Sequence, residues 1–119
     1  MESINNRAVE ASVNFLTRKG YEILDRDWQA ADGQRIDIVA KDEDDIAFVA
    51  VTAKLGSEGF AEPSATRGSR ETAAAQWLAS NGDDYSNVSI RFDDIAMMVI
   101  SGSRALLRHH INSLASLED

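Results

Sequence analysis

The run from Ile46 to Ala53 constrains the fold more than any other part of the sequence, because it is almost entirely apolar and carries no charge. Side chains that follow one another along a strand point to opposite faces of its sheet, so a strand of this composition is apolar on both faces. Each of those faces needs a covering layer. The run therefore predicts a strand in the interior of a sheet that helices cover on both sides.

The segments before this run predict a helix and two more strands. Apolar residues recur at helical spacing from Ile4 to Lys19, and Gly20 follows as a helix stop. Tyr21–Trp28 and Arg35–Ala40 then have the composition of strands, and Asp32-Gly33 between them is a turn signal. With the central strand, they predict a β-meander.

The second half predicts a crossover and a closing helix. A loop from Gly56 to Pro63 precedes an alanine-rich helix, which Asn81-Gly82 closes. Two further strands follow, or one bent strand, and then a final helix with Leu107, Ile111 and Leu114 along one side. The helices are Thr66–Ser80 and Arg104–Leu117, and the strands are Asn87–Phe92 and Ile95–Ile100. This α-β-β-β-α-β order predicts an α/β fold with a mixed central sheet flanked by helices.

Composition narrows the class of protein. The chain has 119 residues, which suits one domain spanning residues 1–119, and it has no cysteine. No stretch approaches the roughly 20 apolar residues of a membrane span, and the N-terminus does not resemble a signal peptide. We therefore expect a cytoplasmic protein without a membrane partner. The net charge of −8 counts against broad, non-specific binding to nucleic acid.

Five short strings in the sequence occur in a recognisable order. They are Glu10 with Phe15-Leu16 and Gly20–Leu24, then Arg26–Trp28, Ile36–Ala40, Phe48–Lys54 and Arg91–Asp93. Each string alone is a weak signal, and their order and spacing make the match specific. Together they resemble the bacterial YraN-like family, and the resemblance extends from about Arg7 to Leu114. It implies a Holliday-junction-resolvase-like, restriction-endonuclease-like fold.

The resemblance implies a nuclease site that is degenerate in this chain. In the family fold an aspartate on one strand and a Glu-x-Lys on the next form a metal site, whose cation activates water. Here Asp37 and Glu10 stand at carboxylate positions, whereas Ala50 replaces the glutamate and Thr52 the lysine. Alanine cannot bind a metal, and threonine cannot supply an ammonium group. Lys54 shares the face of Thr52 one step further along the strand and could reach back.

The retained carboxylates also have ordinary interpretations. Aspartate is depleted in strands, so Asp37 either serves a pocket or makes hydrogen bonds at a strand end. Glu10 belongs either to the old acidic site or to a solvated helix surface. We expect Asp37, Ala50 and Thr52 on one side of adjacent antiparallel strands, with Glu10 facing them from the first helix.

Arg35 suggests how the loss of a metal is compensated. The family has a glutamate at this position, and residues 35 and 37 share a strand face about 6.5–7 Å apart. A guanidinium there would neutralise Asp37 or Glu10 and fill the volume that a metal needs. Since an unpaired buried carboxylate is costly, we expect this contact.

Three basic residues, Lys54, Arg67 and Arg70, could form a rim that contacts nucleic acid, although arginines on a helix surface are usually only solvated. His109 and His110 could suggest a metal site. Neighbouring helical residues point about 100° apart, so a structural or solvent-facing pair is the favoured interpretation. The acidic run Asp42–Asp45 lacks the glycine and closing glutamate of a calcium loop and predicts a solvated hairpin turn.

Three functional hypotheses follow. The first is a nuclease-fold protein that has lost hydrolysis and binds nucleic acid or another protein, without a cofactor. The second is an active Mg²⁺-dependent endonuclease that uses Glu10, Asp37 and rearranged ligands. The third is an assembly or regulatory role on the same scaffold, since a fold does not fix a function.

Overall fold

In a computed structural model the chain forms one five-stranded mixed sheet with a helix packed on each face. The structure describes residues 4–56, 67–81, 89–101 and 104–111. Its elements in chain order are α1 (Ile4–Arg18), β1 (Glu22–Gln29), β2 (Arg35–Asp42), β3 (Asp45–Leu55), α2 (Arg67–Ser80), β4 (Ser89–Ser101) and β5 (Arg104–His110).

The strands are arranged in sequence order, β1-β2-β3-β4-β5. The first three form an antiparallel meander, β4 lies parallel to β3, and β5 returns antiparallel to β4. The parallel pair requires a crossover, which contains α2. This confirms the predicted α/β class with β3 at its centre, and the architecture is consistent with a restriction-endonuclease-like fold.

The two faces of β3 pack against different helices. Val49 and Val51 belong to the core under α1, together with Ala8 and Leu16 of that helix. Ile46 and Phe48 belong to the core under α2, as does Trp77 of that helix, whose ring meets the Phe48 ring edge-on with centroids 5.8 Å apart. The alternation along β3 therefore places α1 and α2 on opposite faces of the sheet.

Tight local geometry ends α1 and turns β2 into β3. Gly20 has a φ of +98°, and the Tyr21 N–H donates to the Leu16 carbonyl at 3.0 Å, which closes the helix as predicted. Asp42 pairs with Asp45 across the predicted hairpin turn, and Glu43 has a φ of +54° there. Neither helix in the described part of the chain is long and apolar enough to cross a membrane.

The structure differs in two places from the elements predicted for the second half of the chain. Residues 89–101 form one continuous strand, so the bent-strand alternative was the better one. The predicted final helix is wrong over Arg104–His110, which pair with β4 as an edge strand. Leu107 packs against the α1-side core while Leu106 is 48% exposed, the alternation of a strand rather than a helix.

The local apolar spacing of this segment suited either structure, and pairing with β4 decided between them. The rest of the predicted helix, residues 112–117, lies outside the described residues, as do Thr66, Gly82 and residues 57–63 of the predicted loop.

Candidate functional site

Asp37 lies at the point where β2 and β3 separate, which we call the fork. The backbone pairing of these strands runs from Asp42–Asp45 to Ile38–Val49, and Asp37 is the next residue of β2. The Val51 N–H donates to its Oδ2 at 2.8 Å. The carboxylate thus links the strands beyond the last backbone pair, which is the strand-end role foreseen for an aspartate within a strand.

A cavity of about 180 Å³ lies at this fork, beneath the first turns of α2. Asp37, Ala50 and Thr52 all line it, so the period of the strands brings together the three residues that the sequence grouped. Ser69 and Arg70 of α2 line the other side. We call this cavity the cleft.

Glu10 does not line the cleft. It is an exposed residue of α1, the helix that packs on the sheet face opposite α2. The expectation that Glu10 faces Asp37 and Thr52 is therefore wrong. The sequence identified the helix but could not show which face of the sheet it covers.

Arg35 lines the cleft, but its guanidinium pairs with Asp27 on β1. Both side chains are more than half exposed, at 54% and 59%. The predicted contact with Asp37 or Glu10 is therefore wrong. The sequence could not reveal that Asp27, with a φ of +51°, presents a nearer carboxylate from the adjacent strand.

Arg70 is the fixed cation of the cleft. Its Nη1 donates to both oxygens of Asp94 at 3.2 Å, and its Nη2 donates to the backbone oxygens of Asp93 at 2.8 Å and Phe48 at 3.3 Å. The Arg70 side chain is 8% exposed. Arg70 is therefore a buried structural cation. It belongs neither to a basic rim nor to a solvated helix surface.

The remaining basic candidates do not join the cleft. Lys54 is an exposed residue of β3 outside the cavity lining, and the Arg67 side chain lies outside the described parts of the chain. Across the described residues, no three histidine, aspartate or glutamate side chains form a group that could hold a metal ion. Asp94 itself was missed, although a second aspartate directly after Asp93 was a usable signal.

A second polar cluster lies on the α1 side of the sheet around Asp93, which is fully buried. Its carboxylate accepts hydrogen bonds from Arg91 at 3.1 and 3.2 Å and contacts His109 Nε2 at 2.9 Å. Arg91 also donates to the Tyr21 hydroxyl at 2.6 Å, and His109 Nδ1 lies 3.0 Å from Lys19 Nζ. We call these five residues the Asp93 cluster.

Burial and ion pairing act in opposite directions within this cluster. Burial raises the pKa of Tyr21, and the nearby Arg91 offsets only part of that effect. Burial alone would lower the pKa of Arg91, but the hydrogen bonds and charge of Asp93 outweigh it and raise this pKa. His109 is buried against Asp93 and is therefore a structural residue, which is one of the two interpretations that the sequence favoured. His110 is exposed.

Comparison with known proteins places this site in a family. The model of the family described as "Uncharacterised protein family UPF0102" matches residues 9–97. A UPF0102 protein of Roseiflexus castenholzii is 36% identical over 103 residues, covering 84% of this chain and 82% of that protein. UPF0102 proteins of Rhodococcus jostii and Rhodococcus opacus are 31% and 30% identical over 105 residues, each covering 84% of this chain and 86% of the relative.

Proposed function

We propose that this chain, which belongs to the UPF0102 (YraN-like) family, is a nuclease-fold protein that has lost metal-dependent phosphodiester hydrolysis and acts by binding. The observation that carries the proposal is the composition of the cleft. Asp37 is its retained carboxylate, Ala50 and Thr52 stand where a second carboxylate and an ammonium group would be needed, and Arg70 fixes a positive charge in the wall.

Metal-assisted hydrolysis places several oxygen ligands around one divalent cation. One oxygen of Asp37 already accepts the Val51 N–H, and both oxygens of Asp94 accept from Arg70. The Arg70 guanidinium also offsets the negative charge of Asp94 in the same cavity. The cleft therefore offers a cation few free ligands and little net attraction.

The alternative of an active Mg²⁺-dependent enzyme with Glu10 and Asp37 as ligands has less support. Glu10 belongs to α1, which covers the sheet face opposite the cleft, and it is absent from the cleft lining. An assembly or regulatory role is compatible with binding and needs no metal. For the binding role, nucleic acid and protein are the candidate partner classes, and the net charge of −8 favours protein.

The first test is a cleavage assay on duplex, branched and single-stranded DNA with Mg²⁺ or Mn²⁺. The wild-type protein should leave all three substrates intact. An Asp37→Ala variant, purified identically, is the matched control. Wild-type cleavage that this variant lacks would overturn the proposal.

The second test restores the missing groups. Calorimetric titration with Mn²⁺ should give no heat of binding with the wild type. Binding should appear when Ala50→Glu and Thr52→Lys are combined, and it should disappear when Asp37→Ala is added. Wild-type Mn²⁺ binding that depends on Asp37 contradicts the proposed loss of the metal site.

A further inference from the structure

An apolar cavity of about 500 Å³ lies between α1 and the ends of β3, β4 and β5, away from the cleft. Its floor is aliphatic, with Met97 and Val99 below and Ala8 and Ala11 of α1 along one side. Leu55 and Ile100 at its margin are 57% and 51% exposed. Large exposed apolar side chains that share one margin are typical of a binding surface.

The charge around this cavity is positive in a strongly acidic chain. Arg7 and Arg104 line it, and none of the described residues that line it carries a carboxylate. A local excess of cations in a protein of net charge −8 favours an anionic partner by charge complementarity.

The apolar surface extends beyond the cavity. A second hollow adjoins it, lined by Leu55, Gly56 and Met98 among others. The two hollows share Leu55, Val99 and Ile100. This extent suits a polypeptide segment better than a small molecule.

We propose that this surface binds an acidic, amphipathic segment of a partner protein, whose leucine-type side chains enter the apolar cavity while its carboxylates meet Arg7 and Arg104. Nucleic acid is the weaker candidate, because the described residues of the cavity lining include no aromatic side chain on which a base could stack. The inference does not depend on the loss of hydrolysis at the cleft.

The test uses the full chain and a fluorescein-labelled amphipathic peptide with leucines at i, i+3, i+4 and i+7 and glutamates at its charged positions. Fluorescence anisotropy should show binding to the wild type that weakens as salt is added. A matched peptide with lysine in place of glutamate should not bind. Absence of glutamate-peptide binding, or equal binding of both peptides, would overturn the proposal.

Matched variants locate the binding. Ile100→Asp and Arg104→Glu should each weaken peptide binding by about tenfold or more, because each residue would contact the peptide directly. Ile90→Asp is the control on the same strand, since Ile90 is 45% exposed at the opposite end of β4. Arg26→Glu is the control for charge, because Arg26 is exposed on the far edge strand β1.

Three other outcomes would reject the assignment of this surface to an acidic peptide. Equal effects of Ile90→Asp and Ile100→Asp would mean that the peptide binds elsewhere. A wild-type dimer in sedimentation that Ile100→Asp dissociates would assign the surface to a second copy of the chain. Tighter binding of a single-stranded oligonucleotide, lost in the same two variants, would assign it to nucleic acid.

Discussion

Asp93 and Asp94 are neighbours on β4, yet their side chains enter different environments on opposite faces of the sheet. Asp94 is 13% exposed beside the open cleft and pairs with Arg70. Asp93 has no exposed surface and lies among Arg91, His109 and the α1-side core. Water can reach the first carboxylate but not the second, so the same residue type should matter to stability in one place and to the site in the other.

The largest effect should come from Asp93→Ala. This change removes the buried carboxylate that pairs with Arg91 and His109. Breaking a buried ion pair from one side costs about 3–5 kcal/mol, and we expect the lower end because Asp42 and Asp45 still pair with Arg91. Urea denaturation at neutral pH measures the loss in the free energy of unfolding. A loss no greater than that of Asp94→Ala would end the distinction between the two regions.

Asp94→Ala should cost less, about 1–3 kcal/mol. Arg70 keeps its hydrogen bonds to the backbone oxygens of Phe48 and Asp93, and the neighbouring cavity can admit water. The same denaturation series tests this. Arg70→Met is the matched variant, because it removes the cation and leaves the carboxylate. A loss of stability in Asp94→Ala greater than that in Asp93→Ala would reverse the ranking.

The Asp93 cluster should also respond to alkaline pH. Burial raises the pKa of Tyr21 in the folded state. As pH rises past the usual tyrosine value of about 10, Tyr21 therefore ionises in the unfolded chain before it ionises in the folded protein. The contribution of Tyr21 to stability is therefore fully present below that value and is lost as pH rises through the folded pKa. Urea denaturation of wild type and Tyr21→Phe from about pH 8 to 11 measures the difference. An identical pH slope for both proteins would contradict it.

The smallest effect should come from Arg35→Ala. Its pair with Asp27 is more than half exposed, and exposed pairs contribute about 0–1 kcal/mol. We expect a change in the free energy of unfolding below about 0.5 kcal/mol. A larger loss would mean that Arg35 also neutralises a second carboxylate, as the sequence predicted for Asp37 or Glu10.

The parts of the fold that depend on local pattern were predictable. The apolar run Ile46–Ala53 lies within β3, and the two-residue period of strands brought Asp37, Ala50 and Thr52 to one cavity. Helix α1 was predicted to within a residue at its C-terminal end, because Gly20 marks that end clearly.

The parts that depend on tertiary packing were not predictable. Which face α1 covers decides where Glu10 lies, and no local signal encodes that choice. Arg70 pairs with Asp94, which is 24 positions away in the chain, and Arg91 also pairs with Asp42, which is 49 positions away. β5 has the spacing of a helix and becomes a strand only because β4 is beside it.

The long parallel ladder between β3 and β4 has a consequence for the order of folding. It joins every residue from Asp45 to Leu55 to a partner that lies beyond α2 in the chain. The β1-β2-β3 meander closes only short loops, so it can form early, whereas this ladder must first bring distant segments together. Asp37 and Ala50 would then be in place before Arg70 and Asp94 arrive. The cleft should be one of the last features to form. Pulsed amide exchange during refolding should show protection in the β1-β2-β3 meander before it appears in β4.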